Sequence, residues 1–255
     1  RRVPLTYFEF TTLAAFWLFR EAGVDYPLLE VGLGGRLDAV NVAEPVLSII
    51  TGVDLDHTQW LGNDRERIGY EKAGILRPGR PALFGDPDPP ASVTDQAAAQ
   101  GVPLRIRGRD FGGDDKADGL SASQQTAVAA FEALGFAADD DALAGLAARG
   151  GLPGRFQQLG GTPPVILDVG HNPQAARWLA QRLAAQPHTA VQAVYAAMGD
   201  KDVEGVAGAL TDSISGWHLA PLSGPRGLEA GALAERIGQV IPDDRIRVTA
   251  SVEQA

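Results

Sequence analysis

The feature of this sequence that most constrains its fold is a regular alternation of short apolar runs with amphipathic segments. In the C-terminal part, apolar runs of strand length are separated by segments with helical periodicity. Because one parallel strand can follow another only through a long crossover, usually a helix, this alternation predicts a parallel sheet of the doubly wound kind. The predicted strands are Val165–Val169, Ala190–Ala196, Trp217–Leu222 and Arg245–Thr249, and the predicted helices are Gln174–Ala185, Val203–Ile214 and Leu228–Val240.

The N-terminal part alternates in the same way, with less regular spacing. A Gly/Pro-rich cluster at 150–155 separates the two series and is the best candidate domain boundary. We therefore predict an α/β fold with two doubly wound domains, one over residues 1–150 and a smaller one over residues 151–255. In the first, the predicted strands are Tyr26–Val31, Val46–Thr51, Ala82–Phe84 and Val102–Ile106, and the predicted helices are Phe8–Arg20, Asp64–Ile75, Ala91–Gln100, 124–134 and 139–149, with a loop at Arg109–Ser123.

Composition and charge exclude several classes of protein. The 22 basic and 32 acidic residues give a net charge of −10, which disfavours binding to nucleic acid or to an anionic membrane. No apolar run approaches the ~18 residues that would span a bilayer, and the sequence opens on no signal-peptide pattern. The lack of cysteine removes disulfides and thiolate chemistry. We expect a cytoplasmic protein whose partners are small molecules.

Ligands of open parallel sheets bind at the carboxyl ends of the strands, and the first informative strand end carries Glu30. The segment Glu30-Val-Gly-Leu-Gly-Gly-Arg-Leu-Asp38 combines a carboxylate with glycines that allow close backbone approach to a ligand. Leu37 stands where a dinucleotide fingerprint would need its third glycine, so the segment is not a Rossmann motif. A glycine-rich turn with an incidental glutamate is an equally good interpretation of this segment alone.

A second strand end carries a candidate cation site. His57 lies beside Asp54 and Asp56, and such oxygen-rich donors would favour Mg²⁺ or Mn²⁺ over zinc. On the helix that follows, Lys72 lies four residues after Ile68, on or beside the buried face. A structural histidine and a lysine that extends to solvent along the helix are the alternatives. Lysine occurs only three times in the sequence, so a partly buried one is notable.

A third strand end, in the C-terminal series, carries Asp168 and His171. The start of the predicted helix Gln174–Ala185 explains the Asn172-Pro173 pair, because asparagine caps helices and proline suits their first turn. Asp168 and His171 have no such explanation. With Arg155 and Lys201 as cations and helix amino ends nearby, this region favours an anionic ligand.

Several of these segments, in this order along the chain, resemble the bacterial folylpolyglutamate synthase/dihydrofolate synthase family of the Mur ligase superfamily. The resemblance runs from Thr6 to the last residue. Its two longest segments, around Glu30 and Asp168, are the most specific. The matching segments are Leu5-Thr-Tyr-Phe-Glu9, Leu29-Glu-Val-Gly-Leu-Gly-Gly-Arg-Leu-Asp38, Leu55-Asp-His57, Glu71-Lys-Ala-Gly-Ile75, Leu152-Pro-Gly-Arg-Phe-Gln157, Asp168-Val-Gly-His-Asn-Pro173, Gly199-Asp-Lys-Asp202 and Ala220-Pro-Leu-Ser-Gly-Pro-Arg-Gly227.

The resemblance implies ATP-dependent addition of L-glutamate to dihydropteroate, to tetrahydrofolate or to both, through an acyl phosphate. It implies an incomplete P-loop-type ATPase domain, similar to the Mur ligase central domain, and a smaller Rossmann-like ligase domain. It further implies two Mg²⁺ sites, with Mn²⁺ as a substitute and K⁺ as an additional ion, in a monomer. The implied roles are Glu30, His57 and a carbamylated Lys72 for Mg²⁺, Arg155, Asp168 and Lys201 for ATP, His171 for catalysis and glutamate, and Asp38 for the pteroate or folate.

The sequence also departs from the family pattern. The family's phosphate-binding loop has no counterpart in these residues, and we expect the family to continue beyond Ala255. The stretch between Gly108 and Gln124 is shorter than in relatives, with Ser123 in place of a nucleotide-contacting asparagine. We therefore expect the 255-residue polypeptide by itself to lack synthase activity. A peptidoglycan-type Mur ligase and a non-catalytic nucleotide-binding fragment are the alternative interpretations.

Overall fold

The computed structural model describes residues 3–55, 61–113, 120–148, 152–186 and 190–255. The chain divides into two compact units, unit 1 over 1–149 and unit 2 over 150–255. Within the part of the chain that is described, no helix is both long and apolar enough to cross a lipid bilayer.

Unit 1 is built around a three-stranded parallel sheet whose strands lie in chain order, with Ile49 paired to Leu83 and Leu83 to Arg105. Its main buried cluster is apolar and lies between the sheet and the helices that follow the first two strands, while the helix after the third strand packs against Leu83. The elements are α1 Tyr7–Glu21, a 3₁₀ turn Ala39–Val42, β1 Ser48–Ile50, α2 Arg65–Ala73, β2 Ala82–Phe84, α3 Ala91–Ala99, β3 Leu104–Ile106, α4 Ala122–Ala133 and α5 Asp140–Ala148.

The helices of unit 1 begin where side chains can satisfy their free amide groups. Thr6 and Glu9 form a reciprocal capping box at the start of α1, and Ser121 and Gln124 form another at the start of α4. The Asp64 side chain accepts a bond from the Arg67 N–H at the start of α2. These starts agree with the sequence predictions to within a few residues.

The predicted strand Tyr26–Val31 is wrong, because this segment pairs with no strand of the described sheet. Its apolar side chains are largely open to solvent, and Leu28 is 90% exposed. An apolar run forms a strand only when a neighbouring strand supplies hydrogen-bond partners. Glu30 therefore lies on an irregular segment rather than at a strand end.

Unit 2 contains a second three-stranded parallel sheet whose strands also lie in chain order, with Trp217 paired to Ala193 and Ile246. The largest apolar core among the described residues packs between this sheet and its helices, around the fully buried Trp217 and Leu233. The elements are β4 Gln157–Leu159, β5 Val165–Leu167, α6 Pro173–Ala184, β6 Gln192–Tyr195, α7 Val203–Leu210, β7 Gly216–Leu219, α8 Ala230–Ile237, a 3₁₀ turn Asp243–Arg245, β8 Ile246–Val248 and a final 3₁₀ turn Val252–Gln254.

The predicted strand Val165–Val169 exists as β5, but it does not join the parallel sheet. It pairs antiparallel with β4, where Gln158 lies opposite Ile166. The connection between the two strands covers only residues 160–164, which permits an antiparallel hairpin and is too short for a crossover. The polar Gln157-Gln158 pair gave no strand signal. The two parallel sheets with their intervening helices confirm the prediction of an α/β fold.

Candidate functional site

The glycine-rich loop of unit 1 is folded by Asp38. One carboxylate oxygen, Oδ2, accepts hydrogen bonds from the Gly32 and Leu33 N–H groups at 3.0 Å each. The other, Oδ1, accepts a bond from the Val40 N–H at 2.9 Å and caps the 3₁₀ turn. Three backbone donors therefore converge on Asp38, the residue that the family resemblance assigns to the pteroate or folate.

Glu30 precedes this loop and presents an exposed carboxylate. That carboxylate makes no hydrogen bond or ion pair with any residue that the structure describes. An exposed carboxylate of this kind can act as an oxygen donor to a hard cation without first breaking an internal bond. His57 lies outside the described residues.

The same loop packs directly onto the last turn of α2, which carries Lys72. A Cβ atom at Gly35 would lie 2.8 Å from the Glu71 carbonyl oxygen and 3.0 Å from that of Lys72, so only glycine allows this approach. The Arg36 N–H donates to the Glu71 carbonyl at 2.8 Å, and the Arg36 guanidinium holds both oxygens of the Glu71 carboxylate. The segment after Glu30 is thus fixed to the helix turn of Lys72, whose side chain is half-buried.

Asn41 reinforces this junction from the other side. Its Nδ2 donates to the Arg36 carbonyl at 3.2 Å and to the Gly74 carbonyl at 3.0 Å. Arg77 in turn donates to the carbonyl and side-chain oxygens of Asn41. No group of three or more histidine, aspartate or glutamate side chains poised for a metal occurs among the residues outside the gaps in the description.

In unit 2, the residues around Arg155 and Asp168 form one compact loop cluster. Asp168 accepts from the Phe156 N–H at 2.8 Å through Oδ2 and from the Gly170 N–H at 2.7 Å through Oδ1. His171 is exposed, and its Nδ1 lies 3.1 Å from the Val169 carbonyl oxygen. The Arg155 side chain is exposed beside this cluster.

Lys201 lies on the loop between β6 and α7, which two arginines secure. Arg236 makes a two-point ion pair with Glu204, at 2.6 Å for each contact, and also donates to the Lys201 carbonyl at 3.1 Å. Arg226 binds both oxygens of the Asp200 carboxylate. The guanidinium of Arg236 lowers the pKa of Glu204, and that of Arg226 lowers the pKa of Asp200, so both carboxylates remain ionised.

This loop lies against the start of α6. A Cβ atom at Gly205, in the first turn of α7, would approach the Pro173 ring to 2.7 Å. The start of α7, capped by Asp202, therefore lies beside the start of α6, capped by Asn172. The loops of Asp168, His171 and Lys201 thus share one side of unit 2, where two helix amino ends provide partial positive charge.

Residues 154–255 match the family model described as the Mur ligase glutamate ligase domain. Over 92% of its length the chain is 42% identical to the dihydrofolate synthase/folylpolyglutamate synthase of Escherichia coli, of which it covers 60%. Over 97% of its length it is 31% identical to the folylpolyglutamate synthase of Lacticaseibacillus casei, of which it covers 69%. The chain belongs to the folylpolyglutamate synthase/dihydrofolate synthase family. The family resemblance read from the sequence motifs is therefore confirmed.

Solved structures agree with this membership over both units. Escherichia coli FolC in complex with DHPP and ADP matches 98% of the chain with a TM-score of 0.86 and 40% identity, and the match covers 64% of that protein. A bifunctional member of the family with Mn, AMPPNP and L-glutamate bound matches 98% of the chain with a TM-score of 0.84 and 43% identity, again over 64% of its length. The chain thus spans about three fifths of these relatives.

Sequence reasoning missed the residues that hold the two loop systems in shape, namely Arg36, Glu71, Phe156 and Arg236. Arg36 and Glu71 stand inside segments that were recognised, but nothing in their spacing links them. The left-handed backbone of Phe156, with φ of 46°, has no sequence signal, since an aromatic residue rarely adopts it.

Proposed function

We propose that the complete natural polypeptide carrying these residues is an ATP- and Mg²⁺-dependent ligase that adds L-glutamate to dihydropteroate, to tetrahydrofolate or to both. Membership of the folylpolyglutamate synthase/dihydrofolate synthase family carries the proposal. The bound groups of the relatives, ADP with DHPP in one and AMPPNP with Mn and L-glutamate in another, support a nucleotide, a divalent metal and L-glutamate as ligands. Residues 1–150 would supply the ATPase part and residues 151–255 the glutamate ligase part.

Glu30, His57 and a carbamylated Lys72 would hold Mg²⁺, with Mn²⁺ as a substitute. The exposed Glu30 carboxylate and the half-buried Lys72, on backbone segments that pack together, fit a hard cation that takes oxygen donors. When bound, the cation would neutralise phosphate charge during phosphoryl transfer. Glu71 and Arg36 would keep the two donor segments at a fixed separation.

Arg155, Asp168 and Lys201 would bind ATP. The exposed guanidinium of Arg155 suits a phosphate, since its planar group donates two parallel bonds to a pair of oxygens. Asp168 would keep Arg155 in place through the backbone bonds that it accepts. His171, exposed in the same cluster, would contact the phosphates and the incoming glutamate.

The chemistry would proceed in two balanced steps. The substrate carboxylate takes the γ-phosphoryl group of ATP and releases ADP, which gives an acyl phosphate. The amine of L-glutamate then attacks the acyl carbon, inorganic phosphate leaves, and the nitrogen loses a proton to His171 or to water. Such transfers depend mainly on positioning and charge stabilisation, which matches the set of fixed loops and cations in this chain.

The test is a glutamate ligation assay of the complete polypeptide with MgATP and either dihydropteroate or tetrahydrofolate as acceptor. We expect glutamate incorporation with stoichiometric ADP release, and a large loss in Lys72→Ala that added short carboxylic acids partly restore. The exposed Arg80→Ala variant of unit 1 is the matched control and should retain activity. No ligation with either acceptor, together with a melting midpoint that ATP and Mg²⁺ leave unchanged, would disprove the proposal.

A further inference from the structure

Phe156 has an unusual backbone for its residue type. Its φ of 46° makes it the only non-glycine residue with a left-handed backbone among those that the structure describes. A bulky side chain rarely adopts this conformation, because its Cβ crowds the following carbonyl oxygen. Such a conformation persists only where surrounding contacts hold it, and it occurs often at ligand-binding sites.

The backbone around Phe156 is held by hydrogen bonds on both sides. The Phe156 N–H donates to Asp168 Oδ2 at 2.8 Å, and the same carboxylate accepts from the Gly170 N–H. The Val169 N–H donates to the Gly154 carbonyl at 2.8 Å. These bonds join the turn before β4 to the loop after β5, on either side of Arg155.

The ring of Phe156 is held by two residues of α6. It is 6% exposed and meets the Trp178 ring edge to face, with centroids 6.1 Å apart. The guanidinium of Arg182 lies 4.4 Å from the centre of the Phe156 ring and 5.0 Å from that of Trp178. A cation over an aromatic face is attracted by the ring quadrupole, so Arg182 stabilises this position of the ring.

Arg155 directly precedes Phe156 in this arrangement. Its backbone N–H donates to the Leu152 carbonyl at 2.9 Å, and the left-handed Phe156 follows it at once. The Phe156 ring therefore lies in the apolar core, whereas the Arg155 side chain is exposed to solvent. Among the described residues, the Arg155 guanidinium makes no hydrogen bond or ion pair with another side chain.

We propose that Phe156 is a positioning residue for nucleotide binding: its left-handed backbone, held by Asp168 and by the Trp178 and Arg182 stack, directs Arg155 to the ATP phosphates. The inference rests on the proposed function. It assigns Asp168 a shaping role in addition to any direct contact with the nucleotide. It also makes Arg182, which lies away from the motif residues in sequence, part of the same arrangement.

The test is a double-mutant cycle on the affinity of the complete polypeptide for Mg·AMPPNP. Arg155→Ala should weaken binding about 10- to 100-fold, the range for losing a hydrogen-bonded charge partner. Phe156→Leu, which keeps a buried apolar side chain but loses the stack, should weaken it about 3- to 10-fold. In the Arg155→Ala background, Phe156→Leu should have no further effect, because it acts through Arg155.

Additive losses in the cycle, or an unchanged affinity in Phe156→Leu, would overturn the inference. Phe156→Tyr, which keeps the aromatic ring, should retain wild-type affinity for the nucleotide. Arg182→Gln should reproduce the loss, whereas Arg247→Gln, the same change at an exposed arginine of β8, should not. Melting midpoints without nucleotide identify any variant that fails to fold. If Phe156→Leu does not fold, the nucleotide affinity of Arg182→Gln decides whether the inference holds. If the wild type binds no AMPPNP, the proposed function itself fails and the inference fails with it.

Discussion

The Arg36 guanidinium holds the Glu71 carboxylate at two points, with contacts of 2.9 Å and 3.1 Å between residues 35 positions apart in sequence. Arg36 belongs to the glycine loop after Glu30, and Glu71 immediately precedes Lys72 on α2. Arg36 Cζ also lies 5.8 Å from the centre of the Tyr70 ring. A two-point ion pair fixes orientation as well as distance, so the two segments that carry proposed cation ligands cannot slide past one another.

Gly74→Ala should disrupt this junction. A Cβ atom at Gly74 would lie 2.3 Å from Arg36 Cβ and 2.6 Å from Arg36 Cα, and a backbone atom cannot move aside as a flexible side chain can. We expect a loss of about 1–3 kcal/mol in the free energy of unfolding, the usual cost of overpacking. Chemical denaturation measures it.

The matched control is Gly145→Ala, in α5 of the same unit. A Cβ atom there would meet nothing within 4 Å, and alanine favours a helix interior, so stability should stay equal or rise. Equal stabilities for the wild type and Gly74→Ala would show that the loop is not packed on α2 as described.

Asp38→Asn should loosen the glycine loop. Asparagine offers one acceptor oxygen where the carboxylate offers two, and its NH₂ group cannot accept from a backbone N–H. The Gly32 and Leu33 amides, or the Val40 amide, then lose their partner. We expect amide hydrogen exchange at one of these sites to accelerate about tenfold. Asp25→Asn, at an exposed aspartate of the same unit, should leave those rates unchanged.

The sequence pattern predicted elements whose cause is local. The helix α6 begins where Asn172 and Pro173 indicate, because capping and proline geometry depend on neighbouring residues only. Strand β2, a wholly buried run of three residues, was located to the residue. The irregular conformation of Tyr26–Val31 and the pairing of β5 with β4 could not be predicted, because strand pairing depends on which other segment of the chain is available.

The same contrast applies to the candidate site. Asp168 was recognised as a residue without a local explanation, and the structure supplies one through its bonds to Phe156 and Gly170. The roles of Arg36 and Arg182 could not be foreseen. Both act on residues far away in sequence, through ion pairing or stacking that leaves no periodic signature.

Glu66→Gln should weaken the start of α3 and change its response to acid. Pro90, the capping residue of α3, has no side-chain cap, and Glu66 of α2 accepts from the Ala91 and Ser92 N–H groups at 3.1 Å and 2.7 Å. The Ser92 bond chiefly lowers the pKa of Glu66 below its ordinary 4.5. Because the folded pKa is depressed, this stabilisation is present above pH 4.5 and is lost as the pH falls through the folded pKa.

Thermal midpoints across an acid titration measure this effect. Wild-type stability should fall with pH below 4.5 more steeply than that of Glu66→Gln. Glu132→Gln, at an exposed glutamate of α4, should keep the wild-type slope. Parallel curves for the wild type and Glu66→Gln would rule out a capping role for this carboxylate.

Tyr195→Phe should stabilise unit 2 and remove a dependence on alkaline pH. The Tyr195 hydroxyl is buried beside Trp217 and has no hydrogen-bond partner among the described residues, so its removal should raise the free energy of unfolding by about 1 kcal/mol at neutral pH. Burial raises the pKa of Tyr195 from 10.0 to about 12. Between these pH values the tyrosine of the unfolded chain loses its proton first, so the free energy of unfolding of the wild type should fall by about 1.4 kcal/mol per pH unit through this group.

Denaturant unfolding at a series of alkaline pH values should show this extra slope in the wild type and in the exposed Tyr7→Phe control, and a flatter curve in Tyr195→Phe. If Tyr195→Phe is less stable than the wild type at neutral pH, its hydroxyl has a partner and the buried, unpaired state is wrong.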